Sequence, residues 1–461
     1  MARRNTCPFI IAAFVLLLFH GAAAGDTSAD YWGILTSALV SGGPDADDTL
    51  ALLGTVDDKK ALNLLEQILS GTDGPAIAAA ARGLDPEQCR FYFNDLKQAA
   101  LNPSIEPKPP LLAALARAGT PDAAKVLAAI GEQGSQPEAG AAFGLLSTMG
   151  SVAEPVLEAE AVTGRTALAR ETAANILRRM NAPGAVRAFT ANLHDADKNV
   201  RIAGALGLAH LGMSDGEAIL ESASRSSSAY KIDSLVELAA LGRAEALQRI
   251  TKILNGPDES EKGRVVWAIA RSGSARLKAF SYRMGLENKA EFQTMLADKL
   301  LQPSNPRDLS VLKRMLVHCD RISGMIAAQK LVAADFSRLA KDAIACGLES
   351  PHMQARRKAA DLALQDRILW PILASKRGSH HAAVQIGALK AIRNLDEKQA
   401  FDEVEQAYIH NADRTASLTA AKVMISLDPK KARQAFERAI TTQHGYVRIY
   451  GAAMLLSMNK K

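Results

Sequence analysis

The chain has 461 residues, 48% of them hydrophobic and only 5% aromatic. That apolar share excludes a disordered chain, and an apolar content built mostly from alanine and leucine suits closely stacked helices better than sheets. The formal charge of +6 conceals a polarity: residues 1–224 hold 17 Lys and Arg against 25 Asp and Glu, a net of −8, whereas residues 225–461 hold 38 against 24, a net of +14.

Residues 1–24 read as a cleavable secretory signal. Arg3 and Arg4 precede an apolar run of 11 residues from Phe9 to Phe19, and Ala22-Ala23-Ala24 offers a small-residue cleavage site. The run falls short of the roughly 20 residues a membrane-spanning helix needs, and no later stretch is apolar enough to span. The expectation is an exported, periplasmic protein with no transmembrane segment in the mature chain. Residues 25–43, with Tyr31 and Trp32, are expected to form an N-terminal capping helix, and residues 44–461 a repeat array.

Within that array helices are predicted, with increasing clarity along the chain, at Pro75 to Leu84, Pro109 to Ala118 and Pro137 to Met149. Several open on proline, whose missing N–H costs little in the first turn. The clearest unit follows. A first helix from Pro183 to Leu193 leads into the polar turn His194 to Lys198. A second helix then runs from Asn199 to Leu211, with Val200, Ala203, Leu206-Gly207 and Leu211 forming an apolar stripe and Gly212 as C-cap. Further second helices are expected at Lys231 to Leu241, after Gly256-Pro257-Asp258, and at Ala355 to Leu364, Val384 to Leu395, Arg414 to Leu427 and Tyr446 to Met458. The proline-rich, serine-rich and Pro303/Pro306 connections fall where turns are already due, so they read as loop variants.

The second helices centre on Arg170, Arg201, Arg264, Arg357 and Arg448. The steps between them are 31, 63, 93 and 91 residues, close to whole multiples of about 31. A lone helix pair cannot bury its apolar face, and stacking makes the core continuous. The predicted fold is all-α, an α-solenoid of about fourteen stacked helix pairs.

The unit Asp195-x5-Arg201, continued by Ala203, Leu206-Gly207 and Leu211-Gly212, resembles the HEAT-like repeats of bacterial proteins, including the type found in phycobilin lyases. Asp258-x5-Arg264 keeps the spacing. The resemblance implies that repeated acidic and basic residues link one repeat to the next. It assigns Arg170, Asp195, Arg201, Asp258 and Arg264 to such a ladder, interrupted where Gln385 and Leu418 replace the arginine. It also implies an alternative role, a cofactor-handling or lyase-like enzyme with a site on the concave face. Hydroxylases built from related repeats resemble a di-iron design with His-Glu pairs, and this chain has no His-Glu dipeptide.

Motifs for chemistry are scarce. The sequence contains no C-x-x-C-H, H-E-x-x-H or G-x-x-x-x-G-K-[ST], and its one G-x-S-x-G match, Gly212-Met213-Ser214-Asp215-Gly216, follows a predicted helix rather than the strand that a nucleophile elbow needs. No catalytic residue, metal ligand or cofactor is therefore assigned. His352, His381 and His444 fall near one edge of the solenoid, with His380 and His410 beside it, and read as solvated loop residues. Past the leader, which holds Cys7, stand Cys89, Cys319 and Cys346. Cys319 and Cys346 are expected near one edge of neighbouring repeats, where stacked helices about 10 Å apart exceed disulfide reach of about 7 Å. Buried, unbridged thiols are expected.

The densest basic stretch holds Arg356, Arg357, Lys358, Lys376, Arg377, Lys390 and Arg393. It reads either as a solvated face or as a contact region for an acidic protein or an anionic envelope surface. Export disfavours nucleic acid as its partner. The resulting expectation is a non-enzymatic scaffold of the bacterial envelope that binds protein partners through its basic C-terminal half.

Overall fold

The structure is a computed structural model that describes residues 27–458, except 42, 55, 57, 58, 228, 287 and 288. The secretory signal expected at 1–24 lies outside the described residues. Among the described residues the chain is helical, with no strand. It divides into two compact units: Met1–Val152 with Gly378–Lys461, and Ala153–Arg377.

The clearest repeat shows how local sequence sets the fold. Asp197 caps the Lys198–His210 helix, its carboxylate accepting from the N–H groups of Asn199 at 2.8 Å and Val200 at 3.2 Å. Val200, Ala203, Leu206 and Gly207 are buried, and Gly212 ends the unit at φ 83°. The preceding helix, Val186–Asn192, packs so closely that a Cβ on Gly207 would lie 2.5 Å from the Phe189 ring. The glycine is there for that approach.

In the unit formed by residues 153–377, the second helices stack in sequence order. Ala167–Met180 lies on Lys198–His210, and then follow Lys231–Ala240, Glu259–Ser272, Ala290–Lys299, Ile322–Ala333 and Met353–Gln365. Their buried faces are alanine, leucine, isoleucine and valine, as in Val265, Val266 and Ile269.

The other unit departs from the expected layout. Ala382–Leu395, Arg414–Leu427 and Gly445–Met458 stack in order. The Gly445–Met458 helix then packs on Gly43–Leu53, and the stack continues through Gly74–Gly83, Pro109–Ala118 and Gln136–Leu146. The Thr27–Ser41 helix lies between Gly43–Leu53 and Gly445–Met458 rather than over a bare end. Capping is therefore mutual. Burying Trp32, Leu35 and Leu39 against the last repeat satisfies apolar faces that an open stack would expose. Polar contacts fix the junction: Arg414 pairs with Asp45 at 3.0 Å and also with Asp48, and the Tyr450 hydroxyl donates to Asp48 at 3.3 Å.

The cysteine expectation is corrected. Cys319 and Cys346 form a disulfide, with Cα atoms 5.8 Å apart. They are not equivalent positions in neighbouring repeats. Cys319 ends the tight Leu316–His318 turn, and Cys346 sits in the last turn of the Ser337–Leu348 first helix, which packs against that turn. Their separation of 27 residues is about one helical turn short of the repeat, and this shortfall brings them within reach. Cys89 is a free, buried thiol whose pKa is raised mainly by that burial.

Candidate binding groove

Four neighbouring second helices of the 153–377 unit bring polar side chains to one face. On Ala167–Met180, Glu171, Asn175 and Arg178 follow at steps of four and three, so they share a side of the helix. Asp233 and Glu237 repeat the step of four on Lys231–Ala240, as Trp267 and Arg271 do on Glu259–Ser272. His210 closes the Lys198–His210 helix between them.

These groups form one network. Asp233 is shared by two guanidinium groups: Arg178 lies 3.5 Å from one carboxylate oxygen, and Arg271 pairs with the other. Glu237 lies 4.0 Å from Arg178 and 3.5 Å from His210 Nδ1, and it accepts from Ser272 Oγ at 3.2 Å. The Tyr230 hydroxyl donates to Glu171 and accepts from Asn175 Nδ2 at 2.9 Å. Burial, helped by Glu171, raises the Tyr230 pKa well above its ordinary value, so the phenol stays protonated. Burial, and then the like charge of Arg178, lowers the Arg271 pKa against the pull of Asp233. Arg178 and Glu237 are almost fully buried, with side-chain exposures of 6% and 4%. Arg178 Nε nonetheless has no hydrogen-bond partner.

Above the network opens a groove of about 410 Å³, lined by Arg178, Arg179, His210, Trp267, Arg271, Met295, Asp298 and Lys299. A second hollow of about 530 Å³ shares Arg179, His210 and Arg271. Volumes of this size suit a small ligand or a few side chains of a partner. The Trp267 ring is 49% exposed, with the Arg271 guanidinium 4.0 Å from its centroid. Arg179 is exposed at the rim. Asp298 pairs with Lys299 at 3.1 Å.

The sequence-assigned residues lie elsewhere. Arg170 makes the expected inter-repeat link to Asp195, through Nε at 2.7 Å and Nη2 at 3.0 Å. That pairing holds the Asp195 carboxyl below the usual range. Arg201 does not extend the ladder, because its Nη1 donates within its own turn to the carbonyls of Asp195 at 2.7 Å and Ala196 at 2.8 Å. Asp258 and Arg264 depart further. The Glu259–Ser272 helix begins directly after Asp258, so Asp258 is itself the N-cap, accepting from Glu261 N–H at 3.0 Å, and Arg264 is exposed. In the earlier repeat Asp197 is the cap, which leaves Asp195 free for Arg170. Equal spacing therefore conceals a two-residue shift of register.

The basic stretch is divided between the units. In 153–377, Arg356 Nη1 donates to the Ser350 carbonyl at 2.5 Å, Lys376 pairs with Glu349, Lys358 and Arg377 are half-buried, and Arg357 is exposed. Lys390 and Arg393 are exposed on Ala382–Leu395 in the other unit. His352 and His381 occupy N-cap positions. Among the described residues no group of three His, Cys, Asp or Glu side chains is placed to hold a metal ion, and no helix is long and apolar enough to cross a membrane.

The groove residues were absent from the sequence-based assignment. Their available signal was the repeated step of three or four between polar residues on helices that otherwise bury alanine and leucine, as in Asp233-x3-Glu237 and Trp267-x3-Arg271.

No protein-family model matches the chain, and no curated protein matches it. Among solved structures it is similar to HEAT- and ARM-type helical solenoids. A Kap121p mutant is 10% identical, with 97% of this chain and 68% of that one covered and a TM-score of 0.38. Kap95p, in a structure concerned with its binding to RanGDP, is 10% identical over 99% and 77%, with a TM-score of 0.35. Human deoxyhypusine hydroxylase with glycerol is 15% identical over 69% and 98%, with a TM-score of 0.24. At these values the likeness goes no further than the architecture that the helix packing itself displays: the chain is an all-α solenoid of stacked helix pairs.

Proposed function

We propose that the protein is an exported, non-enzymatic scaffold of the bacterial envelope that holds a partner protein in the groove of the 153–377 unit. One observation carries this reading: the half-exposed Trp267 ring stacked with Arg271 at the groove mouth. Tryptophan and arginine are the residue types that most often dominate binding energy at protein interfaces. The carboxylates beneath are already engaged by cations, an arrangement that holds charge in place rather than one that moves protons. The Cys319–Cys346 disulfide supports export, since such bonds persist in oxidising compartments. The exposed Arg357 in one unit and, separately, the exposed Lys390 and Arg393 in the other offer further contacts for an acidic partner or the anionic envelope surface.

The test is affinity capture of the mature protein from envelope extracts, comparing Trp267→Ala and Arg179→Glu with the triple reversal Arg357→Glu, Lys390→Glu and Arg393→Glu. Either groove variant is expected to reduce the captured partner by about ten-fold or more. Capture that survives both groove changes but disappears with the triple reversal would move the docking surface to the basic residues. A stoichiometric chromophore or metal on the purified protein would instead favour the cofactor-handling alternative.

A further inference from the structure

We propose that the groove takes an acidic peptide segment of the partner that also presents an apolar or aromatic side chain. This proposal rests on the scaffold reading above and adds the chemistry of what is bound.

The charge inventory points to an anion. Arg178, Arg179 and Arg271 line the two hollows, with Lys299 at the edge. Three carboxylates face these four cations: Asp233, Glu237 and Asp298. Asp298 is committed to Lys299. Asp233 serves both Arg178 and Arg271. Glu237 lies 4.0 Å from Arg178, at the limit of an ion pair, and also serves Ser272 and His210. Glu171, the remaining carboxylate of the cluster, takes the Tyr230 hydroxyl. The residues that line the two hollows carry four cations against two carboxylates, Glu237 and Asp298, and neither of these engages Arg179. One further feature marks the same place. Arg179 stands exposed at the rim, able to meet a carboxylate bidentately alongside Arg271.

The aromatic half of the recognition comes from Trp267. Its exposed face, with Met295 and Ile326 also lining the groove, is an apolar shelf beside the cations. A free phosphate or other small anion would leave that shelf uncovered. A peptide with a carboxylate one or two residues from a phenylalanine or leucine covers both at once.

The test uses the purified mature chain, with tryptophan fluorescence and calorimetry as readouts and synthetic decapeptides as probes. One peptide alternates glutamate with phenylalanine, a second replaces every glutamate by glutamine, and a third replaces every phenylalanine by alanine. Inorganic phosphate and vesicles rich in anionic lipid complete the set. The acidic aromatic peptide is expected to bind at least about ten-fold more tightly than either altered peptide. Arg179→Glu is expected to abolish that preference, and a lysine-for-glutamate peptide to recover binding to this variant. Equal binding of the glutamate and glutamine peptides would overturn the proposal. So would binding to vesicles or phosphate without binding to peptides. If Trp267→Ala still releases the captured partner while the acidic peptide fails to bind, the ligand class is wrong and the docking site stands. If neither occurs, both fall.

Discussion

Replacing Asp233 by alanine is expected to destabilise the 153–377 unit by about 3–5 kcal/mol, the cost of breaking a buried ion pair from one side. Asp233 is the one carboxylate that both Arg178 and Arg271 contact closely, and its side chain is only 18% exposed. Its loss leaves two like-charged guanidinium groups facing each other in a region of low water content. Asp298→Asn provides the contrast. That carboxylate is 45% exposed, and its bond to Lys299 is worth less than about 1 kcal/mol. In a stack held by nearest-neighbour interfaces, the damage should be local. Hydrogen exchange is expected to rise first in Ala167–Met180, Lys231–Ala240 and Glu259–Ser272, and urea unfolding should shift to lower denaturant. Equal midpoints for Asp233→Ala and the native chain would show that the two arginines do not depend on this carboxylate.

The second large effect concerns the disulfide. Closing a loop of 27 residues restricts the unfolded chain enough to contribute about 3–4 kcal/mol. Reduction, or the double change Cys319→Ser with Cys346→Ser, should lower stability by that order. Alkylation and mass measurement of the native protein should label neither cysteine. Cys89 should react only after unfolding, because it is buried and its thiolate is disfavoured. Labelling of Cys319 or Cys346 in the native, oxidised protein would contradict the bridge.

Local features were legible in the sequence, and long-range ones were not. The predicted bounds Pro109 to Ala118 and Arg414 to Leu427 coincide with the observed helices, because proline and an aspartate cap fix their starts. The helix expected at Asn199 to Leu211 is observed at Lys198–His210, a shift of one residue set by the Asp197 cap. The packing of Thr27–Ser41 and Gly43–Leu53 on the last helix left no local trace. Its contact between Asp48 and Arg414 joins residues 366 apart, and the periodicity of either segment is satisfied equally well by any neighbour. The disulfide was missed because its two cysteines sit at different depths in the repeat. The groove was missed for a related reason. Each helix contributes one or two polar side chains, and only the stacking of repeats about 31 residues apart sets Arg178, Asp233 and Arg271 against one another. The basic stretch was conspicuous because its charges are consecutive in sequence, yet the structure engages Arg356 and Lys376 locally and assigns Lys390 and Arg393 to the other unit.

The proposed scaffold seats a partner protein over Trp267. A photoreactive phenylalanine analogue placed at position 267 in the living cell tests it most directly, with the same analogue at the exposed Arg187 on the Val186–Asn192 first helix as the comparison. A discrete crosslinked partner is expected from position 267, lost on adding Arg179→Glu, and none from position 187. A partner crosslinked from position 187 alone would contradict it.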